Sequence, residues 1–394
     1  MKIAIYWIGK EYGGVEEILN NIIKFWPKKS DKFYLFTNVK TNLGYKRLKK
    51  NFLFKNVFNV VPDWGRKDLL IFKIIRYFFF PFFFKKFQND TYREMFSTKI
   101  KFDVLIVNNG GYPGSWKSMT SLKSAIDLGI KKKFLLIHHG SVHDKYILRT
   151  GEKYFDKKIQ DWSSKIITIS KATKDSMIKT RNFISKKFIV IHNGISLNDK
   201  KIKFKKNESK EKTVYLGILG RIEKYKGHED ILKALSIFNK QKKFKIKLLI
   251  AGKFISSFEK KRIMNLVDVY NIKKNVKFLG YIPEKKLKYF YSKLNLFFSV
   301  TKDFEGFGLT ILEAMSRKIP VVCTNVGGVS EFANKNSVTF VKPNDYRAIY
   351  NTIKRYLRDP NYFKQKTNLA IKITKKFTAQ KMAKNYYEEI RKSY

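Results

Sequence analysis

The segment LNLFFSVTKDFEGFGLTILEAM, residues 294–315, contains a strand, a glycine-rich loop and a helix in one run. Its apolar residues predict a strand that ends near Val300, and the pattern from Gly308 onward predicts a helix. The first backbone N–H groups of a helix have no partner within it, so they form a ready site for phosphate. Gly306 and Gly308 would let a ligand approach the backbone closely.

Two carboxylates, Glu305 and Glu313, bracket this loop in a chain that is otherwise rich in lysine. Carboxylates accept hydrogen bonds from vicinal hydroxyls, which favours sugar recognition as their use. The alternative is an ordinary strand–turn–helix, in which one glutamate is exposed and the other is stabilised by the helix dipole.

The same alternation of strands and helices extends through the whole chain. Short apolar runs recur in the first half (KIAIYWI, FDVLIVN, KFLLIHH, KIITIS) and again in the second (TVYLGIL, FKIKLLIAG, IPVVCTN). Nearly continuous apolar strands that alternate with helices predict the α/β class, with parallel sheets covered on both faces.

The chain is long enough for two hydrophobic cores, and its composition changes near the middle. Residues 197–212 are highly charged and predict a linker. We therefore expect one doubly wound domain at 1–196, a second at 213–374, and a final helix at 375–394 that returns to the first. Such domains bind ligands at the carboxyl ends of their strands, so the two should face an interdomain cleft.

A second strand–turn–helix, LGRIEKYKGHEDILKAL over 219–235, contributes two cations. Arg221 can bind phosphate oxygens bidentately, and Lys226 supplies a point charge. In a chain this basic, a single cation most often lies on a solvated face. The position of this pair beside Gly220 and Gly227, at a strand's carboxyl end, favours phosphate binding instead.

The first half carries two weaker signals. The turn EYGGVEE opens a helix at Gly14, although the full G-x-G-x-x-G pattern is absent. The stretch IHHGSVH places His138, His139 and His143 at the end of a strand. No metal site is predicted there, because thiolate ligands at zinc-binding spacing are lacking. We interpret a histidine here as a hydrogen-bonding or polar catalytic residue, with a purely structural role as the alternative.

The chain is strongly basic: 83 Lys and Arg against 32 Asp and Glu give a net charge of +51. This charge favours an anionic partner such as nucleic acid, an acidic membrane or a phosphorylated substrate. The alternative is an AT-rich coding bias, since the lysines are dispersed. Cys323 is the only cysteine, which excludes an intrachain disulfide and predicts a reducing, cytoplasmic location.

No uninterrupted apolar run in the sequence reaches the length needed to cross a bilayer. The nearest, LLIFKIIRYFFFPFFFKKF over 69–87, is broken by Lys73, Arg76 and Pro81. The slightly longer stretch 66–87 mixes aromatic and cationic residues. That mixture is typical of segments that lie beside anionic lipid, which predicts peripheral contact with the inner face of the cell membrane. The alternative is a core helix that ends at Pro81 and is followed by a buried run.

Taken together, these segments resemble the retaining glycosyltransferases of family 4, which have the GT-B fold of two Rossmann-like domains. EGFGLTILEAM matches the family's E-x₇-E signature, GRIEKYKG its G-R…K-G turn, and TNVGGVSEF its strand-end glycine loop. SKATKDSM and HNGI match weaker landmarks, and the likeness is strongest from Val214 to Pro343. One departure is FFSVTKD, where many members have Pro-Ser, so the shape of the loop before Glu305 stays open.

The resemblance implies a nucleotide-sugar site. Glu305 would hold hydroxyls of the donor sugar and Glu313 those of the ribose, while Arg221 and Lys226 would neutralise the diphosphate. His139 would be the catalytic histidine near the sugar, with the register uncertain by one residue. The other residues assigned to the nucleotide sugar are Gly14, Ile282, Phe307, Gly308 and Leu309.

The predicted function is retaining transfer of a hexosyl group from a UDP- or GDP-linked sugar to a glycan or lipid-linked acceptor, in cell-surface polysaccharide or glycolipid biosynthesis. No metal or other cofactor is expected, because the chain has no Asp-x-Asp motif; the nearest pair is Asp303 and Glu305. Two alternatives stay open: a nucleotide-sugar epimerase of the same fold, and a basic nucleic-acid-binding protein. The dispersed lysines disfavour the second.

Overall fold

The structure, a computed structural model, describes residues 1–9, 13–38, 56–60, 80–141, 149–197, 213–241 and 245–392. The chain forms two compact units. The first consists of Met1–Gly194 together with Ala379–Tyr394, and the second of Ile195–Thr378. Each is built on a parallel sheet with helices between its strands, as the alternation in the sequence predicted.

The described strands and helices are as follows. The strands are β1 Lys2–Tyr6, β2 Lys32–Thr37, β3 Asn56–Asn59, β4 Val104–Asn109, β5 Lys132–Ile137, β6 Lys165–Thr168, β7 Phe188–Val190, β8 Val214–Leu219, β9 Ile246–Ala251, β10 Val276–Gly280, β11 Leu296–Ser299, β12 Val321–Thr324 and β13 Thr339–Val341. The helices are α1 Gly14–Lys24, α2 Phe80–Phe96, α3 Trp116–Asp127, α4 Arg149–Trp162, α5 Lys171–Arg181, α6 His228–Gln241, α7 Ser257–Val269, α8 Glu284–Ser292, α9 Leu309–Ser316, α10 Tyr346–Arg358, α11 Pro360–Thr374 and α12 Ala379–Arg391.

The first unit's sheet has the strand order β3-β2-β1-β4-β5-β6-β7, with every pair parallel. Ile5 on β1 lies opposite Leu35 on β2 and Ile106 on β4. Strands β1 and β4 are buried along nearly their whole length, because helices cover both faces of the sheet. The edge strand β3 was not predicted, since it is only four residues long and has asparagine at both ends.

The second unit repeats this topology in the order β10-β9-β8-β11-β12-β13. Leu216 on β8 lies opposite Leu248 on β9 and Leu296 on β11. In each sheet the strand order reverses at one point, between β1 and β4 or between β8 and β11. Doubly wound sheets bind ligands outside the carboxyl ends of their strands at this switch point. The predicted class, α/β with two doubly wound Rossmann-like units, is confirmed.

The last helix, α12, belongs to the first unit and packs on α1. The Tyr387 ring meets the Trp26 ring edge-on, with 5.4 Å between centroids. The N–H of Gly194 donates to the sulfur of Met382, and Lys132 Nζ donates to the carbonyl of Ile390. Most of the predicted linker, residues 198–212, lies outside the described residues.

Helix α2 contains the described end of the aromatic–basic segment predicted at 66–87; residues 66–79 lie outside the described residues. Pro81 is the second residue of this helix, so the buried run that the alternative placed after Pro81 is wrong, while its core helix before Pro81 lies outside the described residues. Proline lacks an N–H group, and the first turn of a helix tolerates that loss. Phe84 is buried, whereas the Phe82 side chain is 66% exposed. Among the described helices, none has both the length and the apolar character needed to cross a bilayer.

Candidate functional site

The candidate site lies at the switch point of the second unit, where the loops after β8 and β11 meet. The N–H of Lys302 donates to the carbonyl of Tyr225 over 2.7 Å, which ties the two loops together. Gly227 has φ +73°, and a Cβ atom at this position would lie 2.1 Å from the carbonyl oxygen of Val300. Only glycine fits there, so residue 227 permits the close contact between the two loops.

An ion pair between Lys226 and Glu305 joins these loops through their side chains. Lys226 Nζ lies 2.8 Å from Glu305 Oε2, and the two side chains are 20% and 19% exposed. Burial by itself would lower the pKa of the Lys226 ammonium, but the charge and hydrogen bond of Glu305, together with the nearby Tyr225, outweigh burial, so this pKa is raised. The hydroxyl of Thr301 donates to the same Glu305 oxygen over 3.1 Å. The cation therefore stays charged at neutral pH, beside a carboxylate of fixed orientation.

Arg221 precedes this pair in the loop after β8, and its side chain is 62% exposed. Its guanidinium lies 3.2 Å from Glu223 and donates to the Tyr225 hydroxyl over 3.3 Å. Burial raises the pKa of Tyr225, so the phenol stays neutral. Arg221 thus presents a largely exposed guanidinium beside the buried residues Ile222 and Glu223.

The N-terminus of α9 follows Glu305 directly. Gly308 is its N-cap, with φ +93°, and Leu309 is the first helical residue, as predicted. The Phe307 ring is buried against Phe332 and Phe377, with centroid distances of 5.0 and 5.7 Å. This packing fixes the loop backbone, while the first N–H groups of α9 have no acceptor within the helix.

The glycine loop after β12 packs against the backbone carbonyl of Glu305. Gly327 has φ +60°, and a Cβ atom there would lie 2.0 Å from the carbonyl oxygen of Glu305. The N–H of Gly328 donates to the same carbonyl over 2.9 Å. The motif TNVGGVSEF is therefore needed to hold the backbone of Glu305 in place.

Glu313 lies one turn into α9 and has different partners from Glu305. The hydroxyl of Tyr291 donates to Glu313 Oε2 over 2.7 Å, and burial raises the pKa of that tyrosine well above its usual value. Arg317 lies over the Tyr291 ring at 4.8 Å. Ile282, half-buried, lies between β10 and α8.

In the first unit, the two neighbouring histidines differ in burial. His138 is buried, its Nε2 lies 2.7 Å from Asn108 Oδ1, and burial lowers its pKa to about 4. His139 follows at the same strand end and is half-buried. Gly14 is the exposed first residue of α1. His143 and the loop before Gly13 lie outside the described residues.

The structure also brings in residues that sequence reasoning missed. Thr301 contacts Glu305, and Tyr291 contacts Glu313; neither belongs to a motif recognised in the sequence. Lys302 pairs with Glu229 and lies 3.4 Å from Asp230, both on α6. The available signal for residues 301 and 302 was that the segment FFSVTKD departs from the Pro-Ser of the family that the sequence resembles. Among the described residues, no group of three or more His, Cys, Asp and Glu side chains is arranged to hold a metal ion.

Comparison with known families matches nearly the whole chain. Residues 12–199 match the model for Glycosyltransferase Family 4, and residues 199–376 match that for Glycosyl transferases group 1. The two matches meet at residue 199, close to the boundary between the two units.

Individual proteins are similar at lower identity. O-antigen chain mannosyltransferase B of Escherichia coli is 29% identical over 164 residues, 42% of each chain. The capsular polysaccharide biosynthesis glycosyltransferase CapM of Staphylococcus aureus is 27% identical over 226 residues, 53% of this chain and 57% of CapM. These matches span about half the length of the curated relatives. The crystal structure of Anabaena Alr3699/HepE with UDP and glucose has a TM-score of 0.77 at 17% identity and covers 99% of both chains.

Proposed function

Because this chain belongs to the family 4 and group 1 glycosyltransferases, we propose that it moves a hexosyl group from a nucleoside-diphosphate sugar to a glycan or lipid-linked acceptor. The observation that carries the proposal is the Lys226–Glu305 pair at the switch point of the second unit. The pair places a cation beside a carboxylate that can accept hydrogen bonds from sugar hydroxyls, next to the N-terminus of α9. A donor that joins a diphosphate to a polyol requires these two chemistries at adjacent points.

The diphosphate is assigned to Lys226, Arg221 and the first N–H groups of α9. Lys226 keeps its charge because Glu305 raises its pKa, and the Arg221 guanidinium is largely exposed and available to phosphate oxygens. Helix N-terminal N–H groups add partial positive charge without any side chain. These fixed donors would stabilise the charge that develops on the leaving phosphate.

The two sugar groups of the nucleotide-sugar donor, at either end of its diphosphate, are assigned to the two glutamates. Glu305 would accept hydrogen bonds from the hydroxyls of the transferred sugar, and Glu313 from those of the ribose. The Tyr291 hydroxyl holds Glu313 from one side, which restricts its rotamers. Ile282 in the second unit and Gly14 in the first are also assigned to binding of the nucleotide sugar.

Transfer is proposed to retain the configuration at the anomeric carbon. The bond from that carbon to the phosphate oxygen breaks, and the acceptor oxygen forms the new bond on the same face. The acceptor's hydroxyl proton passes to the departing phosphate oxygen, so no enzyme nucleophile is assigned. In the first unit, we assign His139 a hydrogen-bonding catalytic role.

The reaction is further proposed to need no divalent metal. Fixed cations and N–H groups of the second unit already offset the charge of the diphosphate, and the sequence contains no Asp-x-Asp pair to recruit Mg²⁺ or Mn²⁺. The acceptor of the transferred sugar is proposed to be a growing cell-surface polysaccharide, since similar proteins are named for O-antigen and capsule synthesis.

Contact with an anionic membrane is proposed through one stripe of α2. Phe82 and Phe96 are 66% and 63% exposed, and Lys85, Lys86 and Arg93 are exposed between them. This helical spacing places aromatic rings at both ends of a basic patch, a pattern suited to the headgroup region of anionic lipid.

A flotation assay with vesicles of phosphatidylglycerol tests the membrane contact at low salt. The variant Phe82→Ser/Phe96→Ser should float at least several-fold less than the wild type. Phe258→Ser removes a 76% exposed ring from the second unit and is the matched control. Equal flotation of the double variant and the wild type would contradict the assignment to α2.

A screen of UDP- and GDP-linked hexoses with lipid-linked glycan acceptors tests the proposed activity. We expect one donor to release its nucleoside diphosphate and to label the acceptor, with the anomeric configuration retained by NMR. Release of a free epimerised sugar without acceptor would establish the epimerase instead. No turnover and no labelling with any donor would contradict the proposal.

A further inference from the structure

Thr301 and Lys302 lie just after strand β11, and both make contacts within the site. Thr301 is buried, with 1% of its surface exposed. Its hydroxyl donates to Glu305 Oε2 over 3.1 Å, and its carbonyl accepts from the Thr324 hydroxyl over 2.6 Å. The hydroxyl is the only donor in the side chain of residue 301, so this contact with Glu305 depends on the threonine.

Lys302 anchors the same segment to two further elements. Its N–H donates to the carbonyl of Tyr225, in the loop after β8. Its ammonium group pairs with Glu229 on α6 and lies 3.4 Å from Asp230. Arg262 on α7 pairs with Glu229 as well, so that carboxylate is held from two sides. Residues 301 and 302 are thus fixed to β12, α6 and the loop after β8, and the Thr301 hydroxyl has little freedom to leave Glu305.

In the proposed function, Lys226 interacts with two anions, the Glu305 carboxylate and the diphosphate of the donor. Without a donor, it shares Glu305 Oε2 with the Thr301 hydroxyl. A bound diphosphate would attract the same ammonium group, because two phosphates carry more charge than one carboxylate. If the Lys226–Glu305 contact loosened, the Thr301 hydroxyl would remain a donor to this carboxylate oxygen and would help to keep it in place.

On this basis we propose that Thr301 is a positioning residue that keeps the Glu305 carboxylate oriented toward the sugar while Lys226 neutralises the diphosphate. This inference rests on the proposed function. It predicts that the Thr301 hydroxyl contributes to recognition of the sugar but not of the nucleoside diphosphate alone.

Calorimetric titration of UDP, GDP, UDP-glucose and GDP-mannose into the full chain separates these contributions. Thr301→Val removes the hydroxyl at nearly constant volume, and Thr301→Ser keeps it. Thr339→Val is the matched control, because the Thr339 hydroxyl is buried and has no hydrogen-bond partner among the described residues.

We expect Thr301→Val to bind the preferred sugar nucleotide about 10- to 100-fold more weakly, the usual effect of losing a hydrogen bond to a charged group. Its affinity for the corresponding nucleoside diphosphate should stay within about twofold of the wild type. Thr301→Ser should restore sugar-nucleotide binding, and Thr339→Val should leave both affinities unchanged.

Equal weakening of both ligands in Thr301→Val, or no weakening of either, overturns the inference and leaves the proposed function standing. Failure of Thr301→Ser to restore binding overturns it too, since the hydroxyl would then not be the active group. A wild-type chain that binds none of the four probes overturns the proposed function, and this inference with it.

Discussion

Replacing Lys226 by alanine is the most direct test of the candidate site. The substitution removes the ammonium group that lies 2.8 Å from Glu305 Oε2 and leaves the two loops joined through their backbones. Gly227 and the contact between Lys302 and Tyr225 are untouched, so the fold of the second unit should survive.

The expected loss of stability is small. The two side chains are about one-fifth exposed, which places the ion pair between a surface pair and a buried one. Leaving Glu305 without this partner should cost about 1–2 kcal/mol of unfolding free energy, or a decrease of about 3–6 °C in Tm. Because Glu305 raises the pKa of Lys226, its stabilising effect is fully present at neutral pH and is lost only as pH rises through that raised pKa.

The expected loss of activity is much larger. A fixed cation at a developing phosphate charge contributes about 2–4 kcal/mol to transition-state stabilisation. This corresponds to a decrease of about 30- to 1,000-fold in kcat/KM. Since the cation keeps its charge above neutral pH, the ratio of wild-type to variant rates should be constant between about pH 6 and 9.

The assay measures release of nucleoside diphosphate at several donor concentrations, beside a thermal melt of each variant. Lys233→Ala is the matched control, because Lys233 lies in the same unit but contacts the Tyr346 ring at 4.1 Å. A folded Lys226→Ala variant that transfers sugar within threefold of the wild-type rate would refute the phosphate assignment.

Four further predictions follow from particular contacts. Gly327→Ala should lose more stability and activity than Gly280→Ala, as measured by thermal melts and rate assays. Both glycines have positive φ, but only at residue 327 would an added Cβ atom clash with a backbone atom. Transfer should continue in excess EDTA, and loss of activity that Mg²⁺ or Mn²⁺ restores would contradict metal independence. Burial lowers the pKa of His138 to about 4, so stability should fall as pH drops from about 6.5 to 4, and melts of His138→Asn should be less sensitive to acid. Deleting residues 375–394 should abolish soluble folding or activity, because α12 packs on α1; normal melting and turnover of the truncated chain would rule this out.

Several features of the site were accessible from sequence patterns. The glycine turns at the ends of strands β8 and β11 identified the segments that hold Arg221, Lys226 and Glu305, because parallel strands present their carboxyl ends at one edge. The start of α9 near Gly308 was also predicted, since the helical pattern begins there. The roles assigned to these residues stay predictions for the assays above.

Other features had no local pattern to reveal them. A threonine four residues before a glutamate has no signature, so the contact of Thr301 with Glu305 was not foreseen. The buried partner of Glu313, Tyr291, lies on another helix, 22 positions away. The difference in burial between His138 and His139 likewise depends on which side of the strand end faces the core.

The sequence by itself determined the α/β class, the doubly wound repeat and the segments that form the strand-end loops. These follow from hydrophobic period and from glycine position, both of which act over a few residues. Only the tertiary structure decided that Lys226 pairs with Glu305, 79 positions away, and that Gly327 packs against the carbonyl of Glu305. Such contacts arise because the switch point of a parallel sheet gathers loops that are distant in the chain, and no local pattern specifies which of their side chains will touch.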